Sequence, residues 1–157
     1  MSYIKLWHTN CHSVYNRITD MNKQIKCKKA KFWLEDGVLF CKFISSECKK
    51  QFSEEFLEEY LRAITTLSDG MYYPLLVDLR QLNDHYALSV VRILAFNPEI
   101  KSEILSKSFV VNSYFVQVLL ILLRGIQDPV IPNKIFTNYD SAFAYSLGIN
   151  HNFNAVS

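Results

Sequence analysis

The sequence predicts an α/β fold built on a mixed, mostly parallel sheet. Three observations carry this reading. An alternating stretch closes on the turn signal Glu35-Asp36-Gly37, "PLLVDL" at 74–79 is a near-continuous apolar run, and helical periodicities then take turns with short apolar runs. The first marks a β-hairpin. The second marks a strand covered on both faces. The third marks successive βα units, whose right-handed crossovers make neighbouring strands parallel.

Residues 1–20 show weak periodicity and are set apart as an N-terminal extension. In "KQIKCKKAKFWLEDGVLFCKFI", Ile25, Cys27, Ala30, Phe32 and Leu34 alternate with lysines along one strand, and Val38 to Ile44 is the returning strand. In "FSEEFLEEYLRAITTLSDG", Ser53 is a natural N-cap and Glu54 and Glu55 stand where the helix dipole favours negative charge. Phe52 and Leu57 have the spacing of a hydrophobic staple. Phe56, Leu57, Tyr60, Leu61, Ile64 and Leu67 form one apolar face, and Gly70 ends the helix.

Strand 74–79 leads into a helix capped by Asp84, with Leu88, Val91, Leu94 and Ala95 inward, that ends near "FNPE". A short helical piece at 99–105 precedes a strand at 108–112. The run "FVVNSYFVQVLLILL" (109–123) is shorter than the roughly 20 residues of a membrane span and contains Asn112, Ser113 and Gln117. It reads as that strand followed by a helix, Tyr114–Ile126, apolar nearly all round and therefore expected to be buried. Residues 133–137 form the last strand. "NYDSAFAYSLG" forms the last helix, with Phe143, Ala144 and Leu147 packed and Gly148 as its stop. The expected order is β-β-α-β-α-β-α-β-α in one domain over 21–149, with a C-terminal tail over 150–157.

A chain of 157 residues, half of them apolar, is large enough for one real core and too apolar for disorder. A net charge of +2 weighs against a nucleic-acid partner. Cys11, Cys27, Cys41 and Cys48 form no CxxC pair, and "MSYIKLWHTNCHSVYNR" lacks the apolar segment of a secretory signal. Free thiols in a cytoplasmic protein are therefore expected, with an oxidised Cys27–Cys41 pair as the other reading.

The richest junction is "YYPLLVDLRQLNDHYAL" (72–88), a buried strand that ends in charge and runs into a helix. Asp78 and Arg80, two apart, share a face of the strand and are candidate ligand-binding residues at its carboxyl end. The simpler reading has Asp78 bonded to a neighbouring loop and Arg80 in solvent. Asp84 and His85 have the chemistry of an acid/base pair, but neighbours at a helix start point apart, and no nucleophile or Gly-rich phosphate loop accompanies them. "WHTNCH" sets His8, Cys11 and His12 within one helical turn, yet no fourth zinc ligand is near. Lys26, Lys28, Lys29 and Lys31 interleave with Phe32 and Trp33, as in a single-strand nucleic-acid site. Lysines also protect an exposed edge strand from pairing, and the low net charge favours that role. Tyr114, Tyr139 and Tyr145 are not brought together by sequence alone. No metal or cofactor is implied.

The hairpin, "YYPLLVDLRQL", "SFVVNSYFVQVLLILL" and "PVIPNKIFTNYDSAFAYSL" resemble small bacterial proteins of the SpoIIAA-like (STAS-like) fold over roughly residues 24–147. The resemblance implies an N-terminal hairpin followed by alternating α-β units. Its better-known members are anti-sigma-factor antagonists, which dock on a partner kinase and carry a phosphorylated Ser at the start of the helix after the central strand. The corresponding stretch is Asn83-Asp84-His85-Tyr86, which holds no Ser or Thr, while Ser89 falls within the helix.

The expectation is thus a non-enzymatic, cytoplasmic module that binds a protein partner through the loop Asn83, Asp84, His85 and Tyr86. A homodimer burying an apolar face would account for the small polar surface. The alternative is a small-molecule-binding protein or enzyme with a pocket at the carboxyl ends of the parallel strands, near Asp78, Arg80 and His85.

Overall fold

A computed structural model of the chain describes residues 23–44, 54–122 and 131–156. The elements are β1 (Gln24–Lys26), β2 (Ala30–Glu35), β3 (Val38–Phe43), α1 (Glu54–Ser68), β4 (Tyr73–Asp78) and α2 (Asp84–Phe96). They continue as α3 (Pro98–Glu103), β5 (Ile104–Val110), α4 (Tyr114–Leu122), β6 (Asn133–Phe136) and α5 (Tyr139–Val156). The protein is α/β, with a six-stranded mixed sheet in the order β1-β2-β3-β4-β5-β6. The first three strands are antiparallel neighbours, and β3 to β6 are parallel.

The strand expected over residues 25–34 is two strands. Its alternation slips phase between Cys27 and Ala30, which are three apart, and there the chain reverses, with Cys27 N–H donating to the Ala30 carbonyl at 2.8 Å. Cys27, Ala30 and Phe32 all point inward, and the Cys27 and Cys41 thiols are free and buried. At the next turn Asp36 and Gly37 both have positive φ, as a two-residue Asp-Gly hairpin requires. A Cβ on Gly37 would also strike the Asn150 side chain.

Because the strand order never reverses, the crossover helices all lie on one face. Tyr60 and Ile64 of α1, Val90, Val91 and Leu94 of α2, Ile100 of α3 and Val116 of α4 pack there with Leu39, Leu75, Val77 and Phe109 of the sheet. The other face carries α5 over β3–β6, in a smaller core of Val38, Phe40, Leu76, Val110 and Ala142. Trp33, Phe136, Tyr139 and Phe143 pack against it.

Two boundaries and one burial pattern depart from expectation. β5 begins at Ile104 rather than residue 108, and "ILSKSF" hid it by its polar residues. The fully buried Lys107 donates from Nζ to the Ala95 carbonyl near the end of α2 (3.1 Å), and the Ser108 and Ser146 hydroxyls meet at 3.0 Å. α5 does not stop at Gly148 but runs to Val156, because that glycine keeps a helical backbone. α4 is not buried all round, since Tyr114 and Ile121 are exposed. The expected Ser53 cap and Phe52 staple lie outside the described residues. Among those residues no helix is long and apolar enough to cross a membrane.

Candidate functional site

The carboxyl ends of β3 to β6 and the start of α5 meet at one end of the sheet. There Asp78, the last residue of β4, is nearly buried, and Arg80 follows in the turn. They do not serve separate partners. Arg80 Nε donates to Asp78 Oδ1 (2.9 Å), its Nη2 to Oδ2 (2.8 Å), and its backbone N–H to Oδ1 (3.1 Å). This is the two-pronged guanidinium–carboxylate fork. Burial pushes the Asp78 carboxyl up, but the Arg80 hydrogen bonds, together with the Arg80 and Lys42 charges, outweigh it and hold the group below its ordinary value. Hydrogen bonding to Asp78 in turn raises the Arg80 guanidinium. The Arg80 side chain is 42% exposed and lies over the Tyr139 ring, its Cζ 5.1 Å from the centroid. Burial, then the Asp78 and Glu35 charges, push the Tyr139 phenol up.

The turn after Arg80 closes with Leu82 N–H on the Leu79 carbonyl, and Leu79 N–H is held by Val110 of β5. Asn83, rather than Asp84, caps α2: its Oδ1 accepts from Tyr86 N–H at 2.9 Å. Asp84 and His85 are exposed, and among the described residues neither side chain makes a hydrogen bond or ion pair. Tyr86 is a correction, since it is buried and unavailable to a partner. Its place in the sequence signalled this, because Tyr86, Val90 and Leu94 recur at helical spacing on the buried stripe of α2.

Tyr86 Oη accepts from Lys29 Nζ at 2.9 Å, and the ammonium lies 4.1 Å from the centroid of the Phe56 ring. Lys29 is therefore a core residue rather than one of the lysines guarding an edge strand. The hydrogen bond fastens the start of α2, and the aromatic contact the start of α1, to the β1–β2 reversal. Ser89 lies inside α2 and donates to the His85 carbonyl.

Tyr139 and Tyr145 have different neighbours: Arg80 for the first, Lys134 and Phe136 for the second. Tyr114 stands exposed on α4. His8, Cys11 and His12 lie outside the described residues. Among those described, no three His, Cys, Asp or Glu side chains are grouped to hold a metal ion.

This site, on a monotonic α/β sheet, falls within residues 32–149, which match the family model described as Domain of unknown function (DUF7793). The chain belongs to that family. No curated protein and no solved structure matches it.

Proposed function

We propose that this chain is a non-enzymatic, cytoplasmic, SpoIIAA-like (STAS-like) module that docks on a protein partner. Its contact surface is the ridge of Arg80, Asn83, Asp84 and His85. The observation that carries this is exposure on a rigid frame. Three consecutive polar residues, 83–85, stand in solvent, while the Asn83 cap, the Lys29–Tyr86 contact and the Asp78–Arg80 fork fix the backbone beneath them. A surface already ordered before binding loses little entropy on docking. An N-terminal hairpin followed by alternating α-β units is also what the resemblance implies.

The alternative, a small molecule or substrate held at the strand ends, has weaker support. Open sheets bind such ligands in the crevice where strand order reverses, and this order does not reverse. Both Asp78 oxygens are already bonded to Arg80.

The test is affinity capture from lysate of the source organism with wild type and with Asp84→Ala/His85→Ala. That variant spares the Asn83 cap and the buried Tyr86, so it should fold. A protein held by the wild type and lost by the variant is expected. Identical captures would refute the ridge.

A further inference from the structure

Strand pairing assembles a row of charge that no single segment contains. Lys26 of β1 pairs with Lys31 of β2, Lys31 with Lys42 of β3, and Lys42 with Asp78 of β4. Paired residues share a face, so all four project on the side that carries α5. Among the described residues α5 makes its main strand contacts with β3–β6, with Trp33 of β2 at the margin of that core, and the row runs on past it toward β1. Lys26 is exposed, and Lys31 and Lys42 are half-buried. With neighbouring strands about 4.8 Å apart, the three ammonium groups span about 10 Å.

Among the described residues no carboxylate forms an ion pair with any of the three. Asp78, across the strand pair from Lys42 and under the influence of its charge, is hydrogen-bonded through both oxygens to Arg80. Like charges directly opposite one another destabilise a sheet, and here two such pairs are adjacent. An anionic partner laid across the strands would relieve that repulsion.

We propose that the Lys26–Lys31–Lys42 row is a docking strip for an extended acidic segment of a protein partner. It begins beside Asp78, the partner of Arg80, and crosses to β1 on the face that carries α5, and it rests on the reading of the Arg80–His85 ridge as a protein-docking surface. A protein segment fits better than a nucleic acid. The ring beside the row is Trp33, which is stacked on Phe40 at 5.0 Å and donates its indole N–H to Glu35 at 3.0 Å. Glu35 would repel phosphates, and among the described residues one committed ring beside the row is no platform for successive bases. Lys31 Nζ lies 5.9 Å from the Trp33 centroid, so the indole reports on whatever meets the lysine.

The chain has two tryptophans, so Trp7→Phe leaves Trp33 as the single probe in the full-length protein. It is titrated with a capped Glu-Thr alternating peptide of about six residues, long enough at about 3.3 Å per residue to cross the row. The Gln-Thr counterpart and a single-stranded thymidine oligonucleotide of equal charge are run beside it. The Glu peptide should change Trp33 emission and bind more weakly as salt rises. Its affinity should fall about tenfold or more in Lys31→Thr/Lys42→Thr. Lys31→Thr alone should raise the melting temperature of the free protein, by removing both like-charge contacts.

Equal binding of the Glu and Gln peptides, or binding untouched by the lysine substitutions, would overturn the strip. Tighter binding of the oligonucleotide would overturn it in favour of nucleic acid. Asp84→Ala/His85→Ala keeps the lysines, so peptide binding that persists when lysate capture is lost supports the strip. Absent peptide binding with wild-type capture intact removes the strip and leaves the ridge standing.

Discussion

Asp78 and Arg80 satisfy each other, and that makes their contribution to stability pH-dependent. The folded Asp78 carboxyl sits below its ordinary value of 3.8. Its contribution is therefore complete above that value and lost as pH falls through the lower, folded one. Arg80→Gln removes the fork and leaves a nearly buried carboxylate, at a cost of about 1–2 kcal/mol at pH 7 after discounting for the exposed guanidinium. Urea unfolding of both proteins should show that difference shrinking below about pH 4; a difference constant down to pH 2 would contradict the assignment. Tyr86→Phe takes the hydroxyl acceptor from a buried ammonium and should cost about 1–3 kcal/mol in the same assay, whereas a neutral result would mean that the Lys29–Tyr86 bond adds nothing. Neither partnership was legible in the sequence. The fork needed the turn geometry after β4, and Lys29 reads as one more lysine until the chain reverses at residues 27–29.

At the scale of elements, helix ends set by side-chain chemistry were readable, and those overridden by tertiary packing were not. Gly70 ends α1 with φ of 80°, as expected. The cap of α2 was misplaced by one residue, and the two readings predict different mutants: Asn83→Ala should cost about 1 kcal/mol and Asp84→Ala only tenths. Asn97 does double duty. Its backbone N–H bonds the Ile93 carbonyl of α2, and its Oδ1 accepts from Ile100 N–H of α3. Gly148 has the composition of a stop but sits inside α5 with open space where a Cβ would go. Gly148→Ala should therefore stabilise by about 0.5–1 kcal/mol. Destabilisation, read from the thermal midpoint, would restore the stop. The first half of β5 was hidden because a buried Lys107 and buried serines break the apolar pattern on which strand recognition depends.

At the scale of the molecule, the alternation of helices and strands was enough to predict the α/β class and the parallel portion of the sheet. It was not enough to predict which side chains meet across strands, because register is a tertiary fact. The lysine row and the partnership of Arg80 with Tyr139 both come from register and from α5 folding back over β3–β6. The same architecture leaves residues 83–85 as a polar ridge on a fixed backbone, which is the basis for reading the chain as a docking module. The most direct test is the dissociation constant between the protein captured from lysate and the purified chain, measured calorimetrically for wild type and for Asp84→Ala/His85→Ala. A loss of about tenfold or more in affinity at an unchanged melting temperature is the predicted result. Equal affinities for the two proteins, or a lysate from which the wild type retains nothing specific, would contradict it.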